Sequence, residues 1–373
     1  MPRWSYALLL LVPAALAAKL LSLPVVLVFV LSATGILPLA ALIGKATDEL
    51  AHQLGPRSGG LLNATFGNAA ELIITSFAVR DGLLTLVKAS ITGSIIGNTL
   101  LVLGTSLLAG GARHGRQHFD PQGTSLNAAM MILAVAGLYL PATFASVVRE
   151  QPVIEELSGF VAGVLLLTYV AYLLYAVFLG QPSGVRSKAT TSRVEATADP
   201  RAGREAGGES WSGEGAWGRG KALGVLAGAT VGTAISSEIL VGSVEPVTRQ
   251  LGWSEFFVGV IFVPIIGNAA EEYSAVLMAW RNRLNVSLGI AAGASTQIAL
   301  FVAPVLVFLS FALGHPMDLV FTPLELVILG LATALFAYIS LDGESNWLEG
   351  VQLLAIYLMA GLAFFLLPLH GPG

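Results

Sequence analysis

The 373-residue sequence contains no cysteine, and only 11% of its residues are charged. The missing thiols exclude disulfide bonds and metal sites built on cysteine. A soluble domain has about 25% charged residues, so this low fraction argues against a soluble fold. The sequence also lacks a basic patch with interleaved aromatic residues, which argues against a nucleic-acid partner.

Hydrophobic residues make up 55% of the sequence, and the mean hydropathy is +0.78. The apolar runs are about 20 residues long, the length that an α-helix needs to cross a bilayer. The alternating pattern of a transmembrane barrel is absent. We therefore predict an all-α polytopic membrane protein with about eleven transmembrane helices. The spans are predicted at roughly 5–21, 24–46, 60–80, 84–110, 124–147, 155–180, 220–246, 254–280, 286–313, 320–341 and 346–368.

The N-terminal segment allows two interpretations. Arg3, the apolar run at 6–18 and the small residues at 15–17 resemble a secretory signal peptide. We expect a retained first helix instead, because many spans follow directly. Basic residues are more frequent in the loops on the side of the N-terminus, which predicts that the N-terminus is cytoplasmic in a cell membrane.

A polar stretch at 181–218 separates the sixth and seventh spans and has the composition of a flexible cytoplasmic linker. The predicted organisation is a first helix at 1–22, a five-helix repeat at 23–180, the linker, and a second five-helix repeat at 219–373. An odd number of crossings in each repeat turns the second repeat upside down. Inverted repeats of this kind are typical of secondary transporters, whose binding site lies near the membrane midplane.

One motif makes the repeat visible: Gly-Asn-Ala-Ala-Glu at 67–71 recurs at 267–271. A charged residue inside a membrane costs roughly 2.5–3.5 kcal/mol on insertion scales and marks a functional site by default. The Asn and the Glu are three residues apart and share one helix face. Each Gly weakens its helix and can free backbone carbonyl groups beside a cavity. The candidate cation ligands are Glu71, Glu271, Asn68, Asn268, Gly67 and Gly267.

These residues supply only oxygen ligands, which suit a hard cation such as Ca²⁺. Two carboxylates in a dry site cannot both stay ionised without a cation, so loss of the cation favours protonation. Competition between a cation and protons is the minimal chemistry of an antiporter. The alternative is a buried pair with a structural role only. The five His residues fall in or near loops or the terminus, so none is an obvious proton carrier inside the membrane. We therefore expect the Glu residues to carry the proton.

Further polar residues lie in neighbouring spans and are candidates for the ion or proton pathway. A lone polar residue in a membrane helix more often bonds to a neighbouring helix. Glu238 has no acidic counterpart, since Pro38 occupies the equivalent position. Four other acids, Glu245, Glu325, Asp342 and Glu344, fall at span ends, where we expect solvent. The pathway candidates are Glu238, Asn98, Gln297, Ser295 and Glu272.

With these motifs the chain resembles the Ca²⁺/H⁺ antiporter (cation/proton exchanger) family of the Ca²⁺/cation antiporter superfamily. The resemblance implies one helix followed by two five-helix repeats, and export of cytosolic Ca²⁺ against entering protons. It also implies that Glu71 and Glu271 are alternating-access ligands, assisted by Asn68, Asn268 and the backbone near Gly67 and Gly267. The resemblance implies no cofactor. The implied partners are the lipid bilayer and the two transported ions, Ca²⁺ and H⁺. Whether the protein forms a homo-oligomer is left undecided. The matching segments are 59–73 (GGLLNATFGNAAELI), 93–104 (GSIIGNTLLVLG), 264–271 (PIIGNAAE) and 294–302 (ASTQIALFV).

Three features depart from the family pattern. Many members have His where this chain has Glu272, and the extra carboxylate could change pH dependence or cation choice. Many members carry Lys-Asn-Lys-Leu-Asp where this chain has Arg-Asn-Arg-Leu-Asn at 281–285. The linker has mixed charge, whereas eukaryotic members often have an acidic helix there.

Other functions fit parts of the pattern. The exchanged cation could be Na⁺, K⁺ or Mn²⁺, or Na⁺ could drive Ca²⁺, because hard-cation sites discriminate by cavity size and ligand number. An intramembrane metal-dependent enzyme is a different class, but no His-Glu-x-x-His pair and no nucleophile motif occurs. A passive channel is a third class. The inverted acidic repeat favours a secondary transporter, which is not an enzyme.

Overall fold

The computed structural model describes residues 3–54, 59, 62, 65–175 and 217–367. Eight helices in this part are long and apolar enough to cross a membrane, and two apolar helices are shorter. With the 12-residue helix Ala69–Arg80 they make eleven. They are α1 (Leu11–Leu20, after the 3₁₀ helix Arg3–Leu10), α2 (Val25–Leu54), α3 (Ala69–Arg80), α4 (Leu84–His114), α5 (Pro121–Ala145), α6 (Gln151–Leu174), α7 (Arg219–Leu251), α8 (Glu255–Trp280), α9 (Leu284–Ala312), α10 (Pro323–Ile339) and α11 (Trp347–Phe365). The predicted all-α polytopic class is confirmed.

The helices interleave the two halves of the chain. The long helices α2 and α7 pack along each other, α3 lies against α7 and α8, and α4 contacts α8 and α11. A single core cluster contains Ile74 of α3, Ile95 of α4 and Ile298 of α9. Large apolar side chains such as Phe160 and Leu358 are exposed on the outside, where the lipid tails of a bilayer would cover them.

Within the described residues, π-helical segments lie inside three of the long helices. Gly97–Val102 interrupts α4 and Ile298–Val302 interrupts α9, at positions separated by about the repeat spacing. A third segment, Val258–Phe262, lies near the start of α8. Such bulges widen a helix by one residue per turn and frequently occur at functional sites.

The two copies of the Gly-Asn-Ala-Ala-Glu motif have different backbones. Gly67 and Asn68 form a turn between helical Thr65–Phe66 and α3. In α8 the helix runs without a break through Gly267 and Asn268. The expected weakening of the helix by glycine therefore accompanies a turn at the first copy but produces no break at the second. A glycine costs only about 1 kcal/mol in a helix, and tertiary packing overrides such a preference.

Trp217, two residues before α7 begins, contacts and hydrogen-bonds residues near the end of α2. Its ring lies between the ammonium groups of Lys45 and Lys221, each 4.8 Å from the ring centroid. Its backbone N–H donates to Glu49 Oε2 (3.2 Å), and its carbonyl accepts from Gln53 Nε2 (2.7 Å). Apart from Trp217 and Gly218, the predicted linker lies outside the described residues.

A small antiparallel sheet joins two loops at one end of the bundle. Strand β1 (Gln117–His118) pairs with β2 (Glu344–Ser345), so the loop after α4 is tied to the loop before α11. Gln117 also donates to the carbonyl of Ala279 at 3.0 Å. These bonds connect segments from both halves of the chain.

Candidate cation site

Helices α3 and α8 meet where Glu71 faces Gly267. A Cβ atom added to Gly267 would lie 3.2 Å from the Cβ of Glu71, tighter than an ordinary contact. The side chain of Glu71 is completely buried, with 0% exposure. The backbone of the second motif therefore lies directly against the backbone and Cβ of Glu71 in the first, which only glycine permits without displacement.

Hydroxyl and amide groups from both halves surround the Glu71 carboxyl group. Ser94 Oγ on α4 donates to Glu71 Oε1, and Ser90 also faces this carboxyl group. Asn268 Nδ2 on α8 donates to Ser94 Oγ at 3.3 Å. The second oxygen, Glu71 Oε2, is buried and has no hydrogen-bond partner in the part of the chain that the structure describes.

The other Asn of the repeat forms a different chain of bonds. Asn68 Nδ2 donates to Gln297 Oε1 on α9 at 2.6 Å. Gln297 Nε2 in turn donates to the hydroxyl oxygen of Tyr169 on α6 at 2.9 Å. Each motif Asn thus reaches across to the helix that follows the motif in the other half.

Four oxygens of the candidate ligands are buried and lack a hydrogen-bond partner among the described residues. Buried polar groups are nearly always hydrogen-bonded, so such a set requires an explanation. Carboxylate and amide oxygens are the ligands that hard cations prefer, so a cation is one explanation of the set. The four atoms are Glu71 Oε2, Glu271 Oε2, Asn68 Oδ1 and Asn268 Oδ1.

Acidic side chains alone do not form a metal site here. Within the described ranges, no three His, Asp or Glu side chains come together closely enough to hold a metal ion. A complete shell would therefore need the amides and backbone carbonyl oxygens as well. The turn at Gly67 and Asn68 is non-helical backbone, whereas Gly267 lies in a continuous helix.

Glu271 has an environment unlike that of Glu71. Its side chain is partly exposed, and its charge interacts with those of Glu71, Glu272 and Asp48. Asp48 is an exposed residue near the end of α2. Glu271 therefore lies between the buried carboxyl group of Glu71 and an acidic surface that solvent reaches.

The remaining pathway candidates have different surroundings in the structure. Asn98 is 2% exposed in the π-helical segment of α4, and its Nδ2 has no partner in the described ranges. Ser295 Oγ donates to the carbonyl of Ala291 in its own helix at 3.1 Å. Glu272 is half-buried and lies close to Tyr357 of α11.

Glu238 lies apart from the motif glutamates. Its Oε1 is 3.4 Å from Arg80 Nη2, at the opposite end of α3 from Glu71, and its side chain is 51% exposed. A role in the ion or proton pathway stays a prediction for this residue and for the other candidates.

The prediction that Glu325 lies in solvent at a span end is wrong, because this residue is only 2% exposed. Its Oε1 accepts from Thr92 Oγ1 on α4 at 2.8 Å. Its Oε2 accepts from the backbone N–H of Thr322 at 2.8 Å, as part of a capping box at the start of α10. The sequence shows the capping box but not Thr92, which is 233 residues away.

Both Asn residues at 281–285 bind the loop that follows α4. Asn282 adopts a left-handed conformation (φ 61°), and its Oδ1 accepts from Gln117 Nε2 at 2.9 Å. Asn285 Oδ1 accepts from the backbone N–H of Asp120 at 2.6 Å. The amide at 285 therefore has a structural partner, although the family acid is missing.

The sequence indicates the segment 93–98, which contains Ser94, as a possible source of neutral oxygens, but it does not single out Ser90, Tyr169 or Asp48. Ser90 and Ser94 are four residues apart, a spacing that places both hydroxyl groups on one helix face. That spacing could have indicated a polar face toward the motif. Nothing in the sequence relates Tyr169 to Gln297, or Asp48 to Glu271.

Comparison with known proteins identifies the family. The family model described as sodium/calcium exchanger protein matches residues 24–178 and 221–366. A Ca²⁺/H⁺ antiporter of Synechocystis sp. is 43% identical over 97% of this chain and 96% of its own length. The Ca²⁺/H⁺ antiporter ChaA of Bacillus subtilis is 40% identical over 95% of this chain and 97% of its own length.

A solved structure has the same architecture. Native YfkE superposes with a TM-score of 0.81 at 38% identity, covering 97% of this chain and 100% of YfkE. The fold is therefore that of a polytopic exchanger built from inverted repeats. The chain is an integral membrane transporter, not an enzyme, and belongs to the sodium/calcium exchanger protein family.

Proposed function

We propose that the chain is a secondary active antiporter that exports cytosolic Ca²⁺ in exchange for protons. The observation that carries the proposal is the completely buried Glu71, which packs against Gly267 of the second motif, while both motif glutamates and both motif asparagines carry a buried oxygen without a partner among the described residues. Relatives that cover nearly the whole chain and are named Ca²⁺/H⁺ antiporters support the choice of ions.

Cation binding is assigned to oxygens from both halves. Glu71 and Glu271 supply the charge, and the Oδ1 atoms of Asn68 and Asn268 supply neutral ligands. Backbone carbonyl oxygens near Gly67 and Gly267 complete the shell. Oxygen ligands of mixed charge suit Ca²⁺, which accepts six to eight ligands in flexible geometry.

Proton coupling follows from the same two carboxyl groups. Without a cation, two neighbouring buried carboxylates repel each other and one of them takes up a proton. The protonation belongs to the pair rather than to either Glu. Ser94 assists both states, because its hydroxyl donates to ionised Glu71 and can rotate to accept a hydrogen bond from protonated Glu71.

Alternating access is supported by the unequal exposure of the two glutamates. Glu71 is completely buried, whereas Glu271 is half-buried with a buried Oε2, and its charge interacts with that of the exposed Asp48 near the end of α2. With the N-terminus and residues 181–218 on the cytoplasmic side of the cell membrane, this end of α2 is on the cytosolic side. The arrangement then represents the cytosol-facing state of a site that opens alternately to the two sides.

The test uses purified protein in sealed liposomes with an imposed pH gradient and a panel of Ca²⁺, Mn²⁺, Na⁺ and K⁺. We expect Ca²⁺ movement that stops when an ionophore collapses the proton gradient. Liposomes with the Glu71→Gln variant are the matched control. Ca²⁺ flux that ignores the proton gradient would refute the proposal in favour of a channel or a Na⁺-driven exchanger.

A further inference from the structure

Helix α4 lies between two buried carboxyl groups, one from each half of the chain. Ser94 Oγ donates to Glu71 on α3, and Thr92 Oγ1 donates to Glu325 Oε1 on α10 at 2.8 Å. The two acids are 0% and 2% exposed. We propose that Glu325 is a positioning residue, which holds α4 through Thr92 so that Ser94 meets the Glu71 carboxyl group. The inference rests on the proposed function, since it assigns Glu325 to the cation site of that antiporter.

The consecutive residues 92–94 bind three different helices. Successive side chains of an α-helix point about 100° apart, so one neighbour cannot contact all three. Thr92 binds α10 and Ser94 binds α3. Gly93 lies against α8, where an added Cβ would collide with the backbone carbonyl of Val260. Because this turn of α4 is enclosed on three sides, a change in the contact of Thr92 is transmitted to Ser94.

Glu325 is held in place by its own helix terminus. Its Oε2 accepts from the backbone N–H of Thr322 at 2.8 Å, while its Oε1 accepts from Thr92. Both oxygens therefore have a protein partner, whereas the Oε2 atoms of Glu71 and Glu271 have none among the described residues. A carboxyl group with both oxygens bonded in this way is suited to anchor a helix rather than to bind a cation.

A second contact fixes the same face of α4 one turn away. Lys88 Nζ donates to Asp318 Oδ1 at 2.9 Å and to the carbonyl of Val320 at 3.2 Å. Lys88 and Thr92 are four residues apart and share one helix face. Loss of the Thr92 bond alone therefore leaves α4 attached, and we expect a small reorientation of the helix rather than unfolding.

Removal of the Thr92 hydroxyl group tests the link to Ser94. Thr92→Val removes the bond to Glu325 and keeps the branched shape of the side chain, whereas Thr92→Ser keeps the hydroxyl group. Thr105→Val is the matched control on the same helix, because the Thr105 hydroxyl group donates to the carbonyl of Leu101 in its own helix at 2.7 Å. Size-exclusion profiles check that each variant is folded.

The first measurement is calorimetric Ca²⁺ binding to the purified full-length protein in detergent. We expect Thr92→Val to weaken Ca²⁺ binding about two- to fivefold, the effect of one weakened hydrogen bond at Ser94. Thr92→Ser and Thr105→Val should bind as the parent does. Equal affinity of the parent and Thr92→Val, or an equal loss in Thr105→Val, would overturn the inference. A parent protein that binds no Ca²⁺ would instead refute the proposed function.

A double-mutant cycle tests whether Thr92 acts through Ser94. In a Ser94→Ala background the hydroxyl group to be positioned is already absent, so Thr92→Val should cause no further loss of affinity. The same loss in both backgrounds would show that Thr92 acts by another route and would overturn the inference.

Glu325→Gln separates an anchor from a group that carries charge or a proton. The amide keeps both contacts, because its oxygen can accept from the Thr322 N–H and its NH₂ group can donate to the Thr92 hydroxyl oxygen. We expect this variant to match the parent in Ca²⁺ affinity and in the pH profile of exchange in proteoliposomes. Loss of exchange or a shifted pH profile in the folded variant would overturn the positioning role.

Discussion

The same five residues occur in both halves of the chain, yet the two glutamates they contain have unlike surroundings. Glu71 follows a turn, is completely buried and accepts a hydrogen bond from Ser94. Glu271 lies inside a continuous helix, is partly exposed and interacts with the charges of Glu272 and Asp48. The inverted repeat places the two motifs together, but it does not make them equivalent.

The difference originates outside the motif. Two hundred residues after Ser94 the chain has Ala294, so the second half offers no equivalent hydroxyl group. Conversely, the position equivalent to Glu272 in the first half is Leu72. One glutamate therefore has an added hydrogen-bond donor and the other has an added acid. The neighbours of a duplicated motif determine how far its two copies diverge in chemistry.

The largest expected effect tests whether the two glutamates are both indispensable. Glu71→Gln and Glu271→Gln each remove one of the two charges assigned to the cation, so exchange should fall to the level of protein-free liposomes. In Glu71→Gln the introduced amide oxygen can still accept from Ser94, and the protein should remain folded. Size-exclusion profiles provide the control for folding. Full transport by either variant would remove that residue from the ligand set.

The next effect concerns the contact between the halves. Gly267→Ala inserts a methyl group 3.2 Å from the Glu71 Cβ, and such overpacking costs about 1–3 kcal/mol. We expect a lower thermal unfolding midpoint in detergent and a marked loss of transport.

The matched variant for this contact is Gly67→Ala, at the half-buried turn before α3. It should lower stability less than Gly267→Ala does. Equal losses of stability in the two variants would contradict the tight crossing at Gly267.

A smaller effect is expected from the hydroxyl groups near the motif. Ser94→Ala removes the hydrogen bond to Glu71, and a bond to a charged group contributes about 1.5–3 kcal/mol. The bond to protonated Glu71 that is lost as well contributes only about 0.5–1.5 kcal/mol, so Ca²⁺ affinity measured by calorimetry should fall by the difference, about five- to tenfold. Ser295→Ala is the comparison from the other half, because that hydroxyl group donates to the backbone carbonyls of Ala291 (3.1 Å) and Ile95 (3.5 Å) rather than to a carboxyl group. A loss as large in Ser295→Ala would show that the two halves use their hydroxyl groups alike.

The smallest effect is expected at Glu272, where the second half carries an extra acid. Glu272→His removes a negative charge next to Glu271, so the half-saturating Ca²⁺ concentration should rise by about two- to fivefold. The pH profile of exchange and the preference among Ca²⁺, Mn²⁺ and Na⁺ should change with it. A variant with an unchanged profile and preference would make this departure from the family pattern neutral.

The helices and the location of the motif were accessible from sequence, because apolar runs of bilayer length and a repeated pentapeptide are strong local signals. Most partners of the motif were not accessible. Ser90 and Tyr169 are single polar residues in apolar helices, where most such residues only join neighbouring helices. Glu325 was expected in solvent because its position along the span was visible, while its partner Thr92 lies in another helix. Long-range contacts of this kind depend on packing, which local patterns do not encode.

The contact of Gly267 with Glu71 has a consequence for how this duplicated sequence can change. A side chain at 267 would press on the Cβ, Cα and backbone nitrogen of residue 71, and no residue at 71 that keeps a carboxylate can give up these atoms. A substitution in one copy is thus constrained by a position in the other copy, 196 residues earlier in the chain. Although the two halves repeat the same motif, they cannot drift separately at this point.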